Sequence, residues 1–326
     1  MQQHFEIIGT GAYLPEKTIS SQELDQRLGL EVGWTERHTG VTFRHQRAPD
    51  ENGTTMARCA ALAALQNANL SLSDIDLIVD ASTCQQKPIP CNAALLNQTL
   101  GDSARGIASL DIHASCLSFL TALSAVNGFF AAGQFQRALI VSAETPLDGV
   151  NWRDPASACL MGDGAAAAVV QRRQPTVPLA YRHETWGEFS EVCEVAAGGH
   201  RTAPFLYTAE TADRYRFFMD GAALHRIASR KLPPLLEAVL SQANDSLERL
   251  HVIPHQASGP ALRLLGRRLA LPPERLHTSL ADHGNLVAAG IPFSLHRAQS
   301  KLTRGERVLL LGTAAGYAQA AMIFTW

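Results

Sequence analysis

An α/β architecture in which one supersecondary unit is used twice is the fold predicted for this chain. Three observations carry that prediction. Short apolar runs alternate with segments of helical apolar spacing, the pattern of helices packed on mixed sheets. Two distant stretches repeat one another. The 326 residues, 46% apolar and 18% charged, are enough for one large core or two ordinary ones.

Taken in order, an alanine-rich segment predicts a helix over residues 54–68, and the apolar run at 75–81 a strand. A helix at 93–100 and a strand at 107–112 follow, where Leu110 and Ile112 alternate. Phe119, Leu123, Val126 and Phe130 then recur at helical spacing, predicting a helix over 117–132. Strands at 138–143 and 165–170 complete the first series. The second comprises a helix at 222–242, a strand at 250–254, helices at 261–269 and 291–302, and strands at 308–312 and 318–324.

The repeat pairs Gln66-Asn-Ala-Asn-Leu-Ser-Leu72 with Gln242-Ala-Asn-Asp-Ser-Leu247. It also pairs the strand entering Ala81-Ser-Thr83 with the one entering Pro254-His-Gln-Ala-Ser258. Cys116 precedes Ala138 by nearly the interval that separates Asn285 from Val308, so these two residues occupy matching places. Residues 1–172 and 173–326 form the two expected halves.

A net charge of −2 excludes a strong global attraction to nucleic acid or anionic membrane. No 18-residue apolar run is present, so no membrane span is expected. The N-terminus has no basic head followed by an apolar stretch, unlike a secretory signal. Six scattered cysteines without CxxC or Cys/His zinc spacing fit reduced thiols in the cytoplasm.

Cys116 stands at a strand-to-helix corner, where helix N–H groups and the helix dipole are expected to favour its thiolate. By itself it reads more readily as a small buried residue packing at a tight corner. His255 ends an apolar strand just after Pro254, and Asn285 follows Gly284 before an apolar helix. Three such positions, each with a polar group suited to acyl chemistry, point to one shared site.

Together with Ile7-Ile-Gly-Thr-Gly-Ala-Tyr-Leu-Pro15, Met161-Gly-Asp-Gly-Ala165, Pro254-His-Gln-Ala257 and His283-Gly-Asn285, these residues resemble the β-ketoacyl-acyl-carrier-protein synthase III type of condensing enzyme. The resemblance spans almost the whole chain. It implies a thiolase-like fold: two pseudo-equivalent halves with mixed five-stranded sheets in a layered αβαβα arrangement. It further implies a catalytic triad of Cys116, His255 and Asn285, in which Cys116 takes an acyl group from a thioester. His255 and Asn285 would donate to the enolate of a malonyl- or β-ketoacyl-type partner. The backbone amides of Cys116 and Ala315 would form the oxyanion hole. No cofactor is implied beyond the phosphopantetheine of acyl carrier protein or coenzyme A that carries the substrates. A homodimer is implied, with Ile89 reaching across.

Other family positions fall on Trp34, Ile89, Met161 and Ser258 for substrate, and on Arg226, Arg267 and Arg268 for carrier-protein docking. The arginines that hold coenzyme A are replaced: His38 stands at one, Pro155 at the adenine-sandwiching one, and Pro260 follows Ser258-Gly259. Proline cannot supply the planar cation that an adenine stack needs opposite the ring, so acetyl-coenzyme A is not the expected starter. Ile89 and Met161 stand where phenylalanine is common, which implies room for a longer acyl group and a place in secondary metabolism. An acyltransferase on the same fold is the alternative, although such relatives tend to lose the asparagine. A papain-like peptidase lacks support, because the Cys-Gly-Ser-Cys-Trp signature is absent. A non-catalytic carrier-binding protein would have no need of all three polar groups.

Overall fold

The computed structural model covers residues 1–326. β1 (Gln2–Tyr13) opens the chain and buries alternate residues, Gln3, Phe5 and Ile7, as a half-covered strand should. A small hairpin-like excursion follows: β2 (Thr18–Ser20), α1 (Ser21–Leu28), α2 (Trp34–Thr39) and β3 (Phe43–His45). Next come α3 (Gly53–Asn67), β4 (Leu77–Asp80), α4 (Asn92–Leu100), β5 (Ala108–Asp111), α5 (Ser118–Ala131) and β6 (Arg137–Glu144). A single turn, α6 (Pro155–Ala158), leads to β7 (Gly164–Pro178) and β8 (Ala180–Thr185). The short pair β9 (Cys193–Glu194) and β10 (Phe218–Met219) precedes α7 (Gly221–Ala243), β11 (Leu250–Pro254) and α8 (Gly259–Arg268). The chain ends with α9 (Leu280–His283), α10 (Gly290–Ala298), β12 (Arg307–Ala314) and β13 (Ala318–Thr325).

The two halves have matching topology. The first sheet runs β1-β7-β6-β4-β5 and the second β11-β12-β13-β8. β4 pairs parallel with β6 as β11 does with β12, and each pair continues through two antiparallel neighbours. The second sheet has four strands where five were expected. Its fifth place, equivalent to β5, shrinks to a single parallel bridge between Val252 and Leu276. Residues Pro273–Arg275 just before it are coiled into a 3-10 turn rather than extended, so no ladder forms there. β7 runs through the expected division after residue 172, and the chain changes sheet at Leu179.

Side chains of successive strand residues point to opposite faces, and here both faces are covered. Leu77 and Val79 join α5, α10 and the second sheet's Ile253 and Leu310 in the central core. Ile78 and Leu139 face the other way, against α3 and α4. Val252 and Leu309 face α7 and α8. The layers are therefore α3/α4, first sheet, α5/α10, second sheet, α7/α8. α5 and α10 share this central layer, and α5 touches the turn at Val287–Ala289 that leads into α10.

Candidate active site

Cys116 lies two residues before α5, in a turn entered through Ser115, whose φ is +50°. The left-handed Ser115 lets the chain reverse sharply between β5 and α5. The N–H groups of Leu117 and Ser118 are spent on the carbonyls of Ala114 and Ser115, so the helix start does not offer them to the sulfur. Two other amides do face it, those of Cys116 itself and Ala315, and both favour the thiolate. Burial outweighs them and pushes the thiol well up from its ordinary value, with Cys193 and Glu144 adding to the shift. The expectation of a thiolate at rest is thereby corrected: desolvation of the anion exceeds two amide hydrogen bonds.

His255 follows β11 and continues its pairing, with its N–H donating to the Leu311 carbonyl at 2.7 Å. The neighbouring β12 carries Gly312 beside it. A Cβ on Gly312 would come within 2.9 Å of the Leu117 side chain and 3.0 Å of that of His255. Glycine is thus what lets the strand run between Leu117, next to the cysteine, and the histidine of the other half. Burial drives the His255 pKa down to about 4, so the ring is neutral at pH 7. Its Nδ1 is buried without a hydrogen-bond partner. An unpaired acceptor there costs less than an unpaired N–H, which assigns the proton to Nε2.

Asn285 is held by two close-packed loops. Asn285 forms a bridge with Met161, its N–H donating to Leu160 at 2.9 Å while Gly162 donates back to its carbonyl at 3.1 Å. A Cβ on Gly162 would meet the His283 carbonyl oxygen at 2.1 Å, and Gly284 sits at φ +72°, where a Cβ would come within 2.9 Å of the Leu160 carbonyl oxygen. These contacts explain why glycine recurs in both motifs. The Asn285 Oδ1 accepts from the Val287 N–H at 2.8 Å, which points Nδ2 toward Ala257 and the cavity. Val287 holds this bond with φ +50°, an unusual conformation for a β-branched residue.

Cys116, His255, Asn285, Ala315 and Met161 all line one cavity of about 310 Å³. Its walls are mostly apolar, with Val150, Phe217, Met219 and Leu224 among them. A reactive sulfur, two N–H donors and an apolar chamber suit transfer of an acyl group whose carbonyl oxygen gains charge. Cys84 and Cys193 also line it, and none of the six cysteines is in a disulfide. Glu144, fully buried and with a pKa raised to about 7 by desolvation, accepts from the Thr83 and Cys84 amides and so fixes their loop at the wall. Sequence reasoning passed over Val287, Glu144 and the Phe217–Met219 wall. The segment between β8 and α7 is mostly isolated turns without periodicity, so it had no signal. The glycines of the paired loops were the legible clue to Val287.

Other expected site residues lie outside this chamber. Trp34 has one face covered by His38, stacked at 4.1 Å, with the His38 ring also bonded to the Trp34 carbonyl. Ser258 caps α8, accepting from Ala261 at 3.3 Å. Ile89 is 85% exposed on the surface. Arg226 and Arg267 are exposed on α7 and α8, and Arg268 reaches from α8 to the Ser229 carbonyl of α7.

A family model described as 3-oxoacyl-[acyl-carrier-protein] synthase III matches residues 110–183, and the model of its C-terminal part matches residues 240–326. The β-ketoacyl-[acyl-carrier-protein] synthase III of Aquifex aeolicus is 32% identical over 325 residues, 98% of this chain and 99% of that protein. The Neisseria gonorrhoeae protein of the same name is 29% identical, covering 99% and 100% of the two chains. The crystal structure of the Aquifex aeolicus synthase superposes with a TM-score of 0.87 at 30% identity, over 99% of this chain and all of that one. The priming β-ketosynthase of the R1128 polyketide pathway reaches 0.89 at 24% identity, over 99% and 96%, a likeness of fold.

Proposed function

The chain belongs to the β-ketoacyl-[acyl-carrier-protein] synthase III family of condensing acyltransferases, and on that premise we propose that Cys116 carries the acyl group while His255 and Asn285 drive condensation. In the first half-reaction Cys116 sulfur attacks the donor thioester. Its proton leaves with the carrier thiol, and the tetrahedral oxygen sits between the Cys116 and Ala315 amides. In the second, a malonyl-type acceptor loses carbon dioxide. The electrons of the broken C–C bond pass to the thioester oxygen, which His255 Nε2–H and Asn285 Nδ2–H hold. The enolate carbon then attacks the acyl carbonyl, and Cys116 leaves as thiolate and regains a proton. The observation that carries this reading is the fixed orientation of both donors: Val287 occupies Asn285 Oδ1, and His255 Nδ1 is buried. Two neutral donors suit an enolate. Passing the acyl group to an alcohol or amine, the alternative, needs no such pair.

The stacked Trp34–His38 pair, with Pro155 and Pro260 in place of cations, supports a carrier-bound donor other than acetyl-coenzyme A. The apolar chamber supports a longer acyl group, as in specialised fatty-acid or polyketide synthesis. Arg226, Arg267 and Arg268 would grip the acidic carrier, and exposed Ile89 would enter a partner copy in a homodimer. Mass spectrometry after incubation with acyl-carrier proteins of several chain lengths tests the nucleophile. An adduct on Cys116, absent from Cys116→Ala, is expected. No adduct with any donor would overturn it. His255→Ala and Asn285→Ala should keep the adduct and lose carbon–carbon bond formation by about 10²–10³-fold.

A further inference from the structure

The catalytic chamber has two distinguishable ends. Ala257 and Thr313 form its wall toward an apolar groove between α7 and α8, the helices that carry Arg226 and Arg267. Cys84 and Thr145 form its wall toward a polar cavity of about 340 Å³ in the first half, among Arg47, Asn92 and Asp148. A carrier held on α7 and α8 brings its arm to the first end, which leaves the second to the acyl chain on Cys116. That second end is built from the loops that follow β4 and β6. Nearly every polar group in them is paired within the fold. Ser82 Oγ accepts from the Ala143 amide at 2.9 Å, and Ser142 Oγ donates to the Ala81 carbonyl at 2.8 Å. Both oxygens of Glu144 are taken, one by the Thr83 amide at 2.6 Å and the other by the Cys84 amide at 3.0 Å. The Thr145 amide faces the Cys84 sulfur, and the Thr145 carbonyl accepts from Asp148 at 3.2 Å. What the two loops leave over is the Thr83 hydroxyl, buried without a partner, and next to Cys84 the hydroxyl of Thr145. An unpaired buried hydroxyl destabilises the fold, so one retained in the wall of an apolar chamber points to a ligand that pairs it.

We propose that Thr83 and Thr145 recognise an oxygen substituent, a keto or hydroxyl group, on the acyl chain that Cys116 carries, so that the donor is an oxygenated acyl group rather than a plain alkyl one. The proposal rests on the reading of Cys116 as acyl carrier. A threonine hydroxyl both donates and accepts, and so it pairs with either group. The remaining carbons of the chain meet Val150, Met161 and Phe217. A plain alkyl chain fills the same space but leaves the hydroxyls unpaired, and that difference is the source of selection.

The test compares octanoyl-pantetheine with octanoyl-pantetheines that carry a keto oxygen at successive carbons beyond the thioester, and with the hydroxyl counterpart of the best of them. Mass spectrometry follows the rate of Cys116 acylation in the full-length protein at limiting donor. At least one oxygenated donor is expected to react about tenfold faster than octanoyl, the worth of one hydrogen bond. The hydroxyl compound then tells whether a carbonyl or an alcohol is the preferred oxygen. Thr83→Val, which keeps the branched shape and removes the hydroxyl, should bring the ratio of the two rates close to one. Thr145→Val, made independently, should lower it. Each ratio is read within one variant, so a general loss of stability does not imitate the effect. An octanoyl rate equal to that of every oxygenated donor, or a ratio unchanged in both variants, would overturn the proposal. Calorimetric titration of Cys116→Ala with the same compounds reads the preference as binding. The lack of any acyl adduct would therefore count against the nucleophile reading, while the titration still decides the role of Thr83 and Thr145.

Discussion

Cys116 shows how a single residue's chemistry depends on what is taken away from it. Two amides favour its thiolate, yet burial wins and the resting residue is a thiol. Its alkylation by iodoacetamide should therefore keep rising, close to tenfold per pH unit, from pH 7 to 9. A plateau below pH 8 would contradict a raised thiol pKa. His255 behaves in the opposite sense for the same reason. Burial lowers its pKa to about 4, so it remains a neutral donor across the range in which the enzyme would work. Linked to stability, the sign is definite. The unfolded chain protonates histidine below about pH 6.5 while the folded one does not, so this contribution is lost as pH falls from about 6.5 toward 4. His277 and His283, also near 4, act alike. Asp80, Glu144 and Asp163, raised to about 7 by burial, act against them: the folded chain takes up their protons first as pH falls.

At the level of elements, the site is made by loops that precede helices and by glycines that let those loops touch. Gly162 and Gly284 bring Met161 and Asn285 into register, and Gly312 does the same for β12 against His255. Gly162→Ala would force a methyl group to 2.1 Å from the His283 carbonyl, a backbone atom that cannot swing aside. A loss of about 3 kcal/mol in thermal or denaturant unfolding is expected, with condensation lost more steeply than Cys116 acylation, because Asn285 moves with the loop. Equal losses in both half-reactions would show that the loop serves only folding. The helical apolar spacing and alternating strands were readable because burial on one face imposes a period. The opening strand, Gln2–Tyr13, had such alternation and was still passed over as an element. The prolines in α7 and the turns between β8 and α7 follow no period at all.

Across the whole molecule, the net charge of −2 conceals a local basic face on α7 and α8. If Arg226 and Arg267 dock an acidic carrier, Arg226→Glu with Arg267→Glu should raise KM for carrier-bound donors about tenfold or more. The effect should shrink at high salt, and pantetheine-bound donors should be indifferent. A parallel rise for both donor types would point to a structural effect instead. The chain by itself determined the α/β class, the duplicated unit and the identity of Cys116, His255 and Asn285 as candidates, because apolar periodicity and short motifs are local in sequence. Only the tertiary structure decided how they act. Whether Cys116 rests as thiol or thiolate depends on desolvation by distant segments. Which nitrogen of His255 and which end of Asn285 face the cavity depends on Gly290 lying near Nδ1 and on the Val287 amide. The groove between α7 and α8 exists only because two helices far apart in sequence meet above one sheet, and no local pattern encodes a space between elements.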